Sequence, residues 1–194
     1  MSAGLIPLAP LISRYSAALA TAPLLTNSVT AAGLSLVSDG VAQKLEGGDY
    51  NIERAAWQFV WGGAIAGAML YYWFALLQYL FPRARESVLA LIGKVFVNQV
   101  VMSPGLNGGF FAFVIFTRTP PKLRMPLAKR DAVKAKWRQD LLPTVIRSCL
   151  FWSCAQSINF GVLPPRLVTF STNIFFLIWT TYLCVVGNRK VKRT

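Results

Sequence analysis

The spacing of charge along this chain restricts its fold more than any other feature. No charged residue lies between Arg14 and Asp39, Arg54 and Arg83, Lys94 and Arg118, Arg147 and Arg166, or Arg166 and Arg189. The shortest of these windows, 148–165, runs 18 residues. A helix needs about 20 mostly apolar residues to cross a bilayer. Five such windows in 194 residues predict a polytopic all-α membrane protein. A soluble chain of this length could not bury so much apolar surface around itself. A β-barrel is disfavoured because the apolar runs are continuous and do not alternate.

The breakers between windows place the helices. "EGGDYN" (46–51) ends the first, Pro82 the second, "TRTPPKLRMP" (117–126) follows the third, and Pro164 and Pro165 end the fourth. Glycine pairs and prolines cannot continue a helix. We therefore expect one membrane domain over 1–194, with helices at roughly 12–45, 54–81, 85–117, 127–163 and 166–187. Pro23 should sit near a membrane entry, and Pro104 should kink the third helix.

Net charge is +13, and it is unevenly placed. Residues 117–140 hold eight Lys/Arg against two Asp, and "NRKVKRT" (188–194) adds four more. With five spans these two regions share a side, and the positive-inside rule turns that side toward cytosol or matrix. The first loop, with Glu46, Asp49, Glu53 and Arg54, shares the side and opposes the bias. In "LAKRDAVKAKWRQDLL" (127–142), Val133, Trp137 and Leu141 recur every fourth residue among Lys, Arg and Asp. That pattern predicts a basic amphipathic stretch at the membrane surface, with Lys129, Arg130, Lys134, Lys136 and Arg138 toward anionic lipid headgroups. Membrane lipid is the expected partner, with a homo-oligomer or larger membrane complex beside it, and no direct nucleic acid.

The N-terminal "MSAGLIPLAPLISRYSAALATAP" holds one arginine and no acid. It fits neither a transit peptide nor a secretory signal, so internal import signals are expected. Histidine is absent and the three cysteines, Cys149, Cys154 and Cys184, lack C-x-x-C spacing. No metal site, cofactor or disulfide framework is expected from them. No catalytic constellation stands out either, so the chain reads as a non-enzyme.

Polar residues inside the apolar windows are the candidate site. Ser28, Ala32, Ser35, Asp39 and Gln43 fall within about 80° on one helix face at 100° per residue. Asn98 and Gln99 precede Pro104. Ser148, Trp152, Gln156 and Asn159, spaced 4, 4 and 3, form a second stripe. Together they predict an internal polar seam: either a pore wall or hydrogen bonds that hold neighbouring helices. Gly63-x-x-x-Gly67 and Gly105-x-x-x-Gly109 predict close helix packing.

These residues assemble into a pattern that resembles the Mpv-seventeen / peroxisomal membrane protein (twenty-two kilodalton) family over about residues 15–182. Tyr15, Leu19 and Pro23 are similar to its opening. Asp39 and Gln43 match its Gly-Asp-x3-Gln element, and Gly67, Trp73, Leu77 and Pro82 match the next block. Lys94, Gln99 and Pro104 follow. Asp140, Trp152, Gln156, Asn159, Phe160 and Pro164 match its long signature, and Trp179 and Tyr182 its end. The chain departs from the pattern at Ser38, Ala68, Tyr71, Asn98, Ser148 and Ser153. The resemblance implies a protein of the mitochondrial inner membrane or the peroxisomal membrane, with about four spans. Our expectation is therefore four to five membrane helices plus the interfacial stretch. It also implies channel-like permeability and a part in metabolite or ion homeostasis. A non-catalytic accessory subunit of a larger, respiratory-type membrane complex is the alternative.

Overall fold

The computed structural model describes residues 8–82, 87–118, 126–161 and 165–190. Within them, side chains at 8–9, 11–12, 126–128, 157, 159–161 and 165–170 lie outside the description. The described residues are helical, with no strand among them. We number the helices α1 (Leu8–Thr21), α2 (Pro23–Glu46), α3 (Ile52–Leu80), α4 (Val88–Arg118), α5 (126–161) and α6 (Pro165–Asn188).

Among the described residues, α3 and α4 are long and apolar enough to cross a membrane. Four to five such helices were expected; two meet the test. About a third or less of each apolar window is buried within the protein. On α4 the outward side chains include Leu89 at 80% and Phe96 at 64% exposure, with Val88, Ile92 and Val100 beside them. A contiguous apolar face of this kind is more than a water-facing monomer carries and suits lipid.

One helix boundary differs from expectation. The run expected at 12–45 is two helices, broken at Ala22, where φ is −139° and ψ is 67°. Pro23 opens α2. Its ring disfavours helical backbone at the preceding residue, and a first-turn proline loses no hydrogen bond. At the other end Gly47 has φ of +69°, a left-handed conformation that glycine adopts without a Cβ penalty. Asn51 then caps α3, its side chain accepting from the Arg54 backbone N–H at 2.8 Å.

Three helices contain wide turns with i→i+5 backbone bonding: Trp61–Gly67 in α3, Asn98–Met102 in α4 and Trp137–Leu141 in α5. Two of them stop just before a proline, Pro104 and Pro143. Proline lacks an N–H and its ring crowds the carbonyl four residues back. A widened turn removes that conflict and leaves the helix continuous. The kink expected at Pro104 thus takes the form of a bulge upstream of it. Pro143 lies inside the fourth helix and was not read as a feature of it.

The wide turn of α3 lies against α2. A Cβ on Gly62 would stand 2.5 Å from the Ala31 carbonyl oxygen and closer still to Ser35 Oγ; on Gly67 it would be 2.8 Å from Ser28 Cα. Gly63 is looser, 3.0 Å from Ala32 Cβ. The closest approach therefore uses Gly62 with Gly67, five apart, as the wide turn requires. The four-residue spacing Gly63–Gly67 singles out only one of the two. A Cβ on Gly109 would meet Trp61 at 3.5 Å, but one on Gly105 would meet nothing within 4 Å among the described residues, so its expected packing role is corrected. Gly187, outside both motifs, approaches Phe110 to 2.7 Å by the same measure. Ser38 Oγ donates to the Leu177 carbonyl at 3.1 Å and joins α2 to α6. The core between these helices gathers Trp61, Phe110, Phe111, Val114, Trp179 and Leu183.

The two glycines give opposite expectations. Gly62→Val should destabilise the folded protein in detergent by about 3 kcal/mol, the upper range for overpacking. Gly105→Ala should be neutral or gain roughly 0.5–1 kcal/mol from the helix interior. Thermal unfolding of the two variants measures both.

Candidate functional site

The polar residues of the apolar windows do not form one seam. They separate into a clasp at the α2–α3 turn, a strip between α4 and α5, and an ion cluster where α5 meets the end of α6.

In the clasp, Asp39 is fully buried. Arg54 Nε donates to its Oδ1 at 2.6 Å and Gln43 Nε2 donates to its Oδ2 at 2.7 Å. The same guanidinium reaches Glu46 through Nη1 and Nη2 at 2.5 and 2.9 Å. Gln43 also fixes the turn itself: its Nε2 donates to the Asn51 carbonyl at 3.1 Å and its Oε1 accepts from the Asn51 N–H at 2.6 Å. The stripe Ala32, Ser35, Asp39 and Gln43 is thus the face that α2 buries. A carboxylate is tolerated there because one arginine N–H and one amide N–H satisfy its two oxygens, while the same arginine forks onto Glu46.

The strip runs along one face of α4. Gln99, Ser103 and Asn107 recur every fourth residue. The Gln99 Oε1 accepts from Cys149 Sγ at 3.8 Å, Ser103 Oγ donates to Ser148 Oγ at 3.0 Å, and Asn107 Nδ2 donates to Ser103 Oγ at 3.2 Å. Trp137 Nε1 donates to the Gly108 carbonyl at 2.9 Å. Partners on α5 descend as those on α4 ascend, so the pair is antiparallel. Thr144 is fully buried in this interface, and its hydroxyl finds no partner among the described residues. Asn98 points elsewhere, accepting from Trp73 Nε1 of α3 at 2.8 Å. Trp152 is half-buried and meets Phe151 edge to face with centroids 5.4 Å apart; Gln156 is half-buried too. The Asn159 side chain lies outside the described residues. Ser103 and Asn107 were missed by sequence reasoning, although their four-residue spacing from Gln99 was available.

The ion cluster overturns one expectation outright. Lys136, expected to face lipid headgroups, is 1% exposed. Its Nζ lies 2.8 Å from Asp140 Oδ2, donates to the Val186 and Arg189 carbonyls at 2.7 and 2.9 Å, and sits 5.6 Å from the Phe111 ring centroid. An ammonium placed on the last carbonyls of α6 satisfies acceptors that have no intrahelical donor, at the negative end of the helix dipole. Arg189 Nη2 closes the other Asp140 oxygen. The Lys136–Asp140 spacing of four was the visible signal. Arg130, Lys134 and Arg138 remain exposed, and Lys129 is half-exposed over the Phe116 ring.

Asp140 lies in the amphipathic first half of α5, outside α3 and α4. Burial pushes its carboxyl pKa up, but the hydrogen bonds and charges of Arg189 and Lys136 outweigh that and hold it below the ordinary 3.8.

The scan of known families places residues 127–184 in the Mpv17 / PMP22 family, across most of α5 and α6. PXMP2/4 family protein 3 of Dictyostelium discoideum is 30% identical over 177 residues, covering 91% of this chain and 90% of that protein. This chain belongs to the Mpv17 / PMP22 family. Protein SYM1 of Gibberella zeae is 26% identical over 90% of this chain and 96% of its own length. The Mpv17-like protein of Xenopus laevis is 26% identical over 87% of this chain and 79% of its own. No solved structure matches significantly. In this member of the family, the matched region carries Lys136 and Asp140 of the ion cluster and the α5 side of the strip, while Arg189 lies beyond it.

Asp140→Asn should cost about 3–5 kcal/mol of stability at neutral pH, because it leaves a buried ammonium uncompensated. The sign with pH follows from the depressed carboxyl pKa: its contribution is complete above about pH 4 and is lost as the pH falls through the native value below that. Unfolding in detergent from pH 7 to pH 2 should show wild type converging on the variant only at the acid end. A constant gap across that range would disprove the assignment.

Proposed function

We propose that this protein is a non-enzymatic, channel-like protein of an organellar membrane, the mitochondrial inner membrane or alternatively the peroxisomal membrane. In this reading α2 to α6 supply the four to five membrane helices, and no cofactor is involved. The observation that carries it is the polar strip of α4 and α5, buried Ser103 and Asn107 against Ser148 and Thr144, with half-buried Gln99 at one end. Polar groups inside an apolar bundle are costly and mark solute or ion pathways more often than elsewhere. Small hydroxyl and amide groups can exchange each other for water or solute without leaving a charge unpaired. In the arrangement described, Ser103, Asn107 and Ser148 bond to one another, as in a closed passage, and the Thr144 hydroxyl has no partner among the described residues. Family membership supports the organellar setting.

An accessory-subunit role in a larger membrane complex is the second reading. Gly105, where a Cβ would meet nothing within 4 Å among the described residues, near exposed Val100 and Val101, favours it: that face leaves room for the close approach of a neighbouring helix.

Purified protein in planar bilayers should conduct. Asn107→Asp, which adds a carboxylate to the strip, should shift selectivity toward cations. Folded protein that leaves the bilayer silent defeats the channel reading. Migration as a small oligomer only, on native gels after gentle solubilisation, defeats the subunit reading.

A further inference from the structure

At the end of the bundle where α4, α5 and α6 meet, a recess of about 270 Å³ is lined by Arg118, Lys136, Asn188 and Arg189 together with Val114 and Gly187. Three cations face it. The nearby carboxylates are all engaged: Asp140 by Lys136 and Arg189, and Asp39 and Glu46 by Arg54. Arg118 stands close enough for the charges of Arg54, Asp39 and Glu46 to act on it, yet it pairs with neither acid. Its Nη2 is buried and has no hydrogen-bond partner among the described residues. Nor does the adjoining sequence offer a counter-charge, because 119–125 contains Lys122 and Arg124 and no acid.

A buried guanidinium nitrogen without an acceptor is an energetic cost that a folded protein rarely keeps without use. Arginine's planar fork suits two oxygens of a carboxylate or phosphate. Lys136 has spent its donors on Asp140 and on two backbone carbonyls, so it supplies field more than bonds, while Arg189 gives Nη2 to Asp140. The small volume, below that of drug-sized ligand pockets, limits the occupant to a small group.

We propose that this recess binds a phosphate-type anion, with Arg118 as its principal ligand; the Asn188 amide N–H is taken by the Cys184 carbonyl and is not part of the site. The anion supplies the acceptor that Arg118 lacks. Free phosphate and a lipid headgroup phosphate present the same chemistry. Binding here does not depend on the protein conducting.

The test uses the full chain in phosphatidylcholine nanodiscs at low ionic strength. Inorganic phosphate or pyrophosphate should raise the wild-type unfolding temperature by mass action and bind saturably in equilibrium dialysis. Arg118→Gln should weaken binding roughly tenfold or more, the equivalent of one charge-assisted hydrogen bond. Arg138→Gln, on the exposed face of α5 and outside the lining of the recess, should leave it within about twofold, as expected of a solvated charge that makes no contact with the anion. Without anion, Arg118→Gln should unfold no lower than wild type, since it removes an unmatched cation; this separates loss of the ligand from loss of the fold. Arg118→Lys, which keeps the charge but not the fork, is the second variant and should bind more weakly than wild type. If the source is a headgroup, phosphatidic acid in the nanodisc stabilises wild type but not Arg118→Gln, while free phosphate has no effect. The proposal is overturned if neither probe stabilises wild type, or if Arg138→Gln weakens binding as much as Arg118→Gln.

Discussion

An ionised carboxylate stays in an apolar bundle only when a cation and further donors enclose it. Asp39 and Asp140 are both fully buried, and much of this protein follows from satisfying them. Asp39 draws Arg54 across the α2–α3 turn, and Gln43 ties the same turn by its backbone. Asp140 gathers Lys136 from its own helix and Arg189 from beyond the end of α6. Arg118, at the end of α4, stands by the first cluster in charge and by the second in the lining it shares. The turn after α2, the end of α4, the start of α5 and the end of α6 therefore gather at one end of the bundle. Glu46, which opposed the positive-inside bias on paper, is bonded to Arg54.

Packing away from that end has a different origin. Without water to drive apolar faces together, helices in lipid associate through close backbone approach and interhelical hydrogen bonds. Gly62 and Gly67 provide the first between α2 and α3, and the Ser103–Ser148 pair provides the second between α4 and α5. Aromatic side chains fill what remains. Phe151 stacks on Trp179 at 5.5 Å, and Trp61 meets Phe110 edge to face at 5.4 Å.

Helix positions were legible because their signals are local. Charge-free windows, the Gly47–Gly48 pair, Pro82 and the prolines after 163 bracket the helices to within a few residues of those observed, except for the break at Ala22 that divides the first, and the family was legible from spaced motifs. Partnerships were not legible. Asp39 and Asn98 both read as polar interruptions, yet one meets Arg54 and the other Trp73, and only the tertiary arrangement decides that. Lys136 was assigned to the headgroups because a lysine beside Val133 and Trp137 looks solvated. Its burial depends on carbonyls of α6 fifty residues away. Gly62 was overlooked because a four-residue spacing presumes an α-helix where the chain is wider.

The wide turns bear on how such a sequence can change. Each holds a residue more than an α-helical turn, so each shifts the phase of everything after it by one position. Deleting one residue from 98–102 would restore α-helical phase and rotate Ser103 and Asn107 off the α5-facing side, while the membrane-crossing length of α4 would hardly alter. For such a helix, length and facing are separate properties: lipid thickness governs one, and a single residue in a wide turn governs the other.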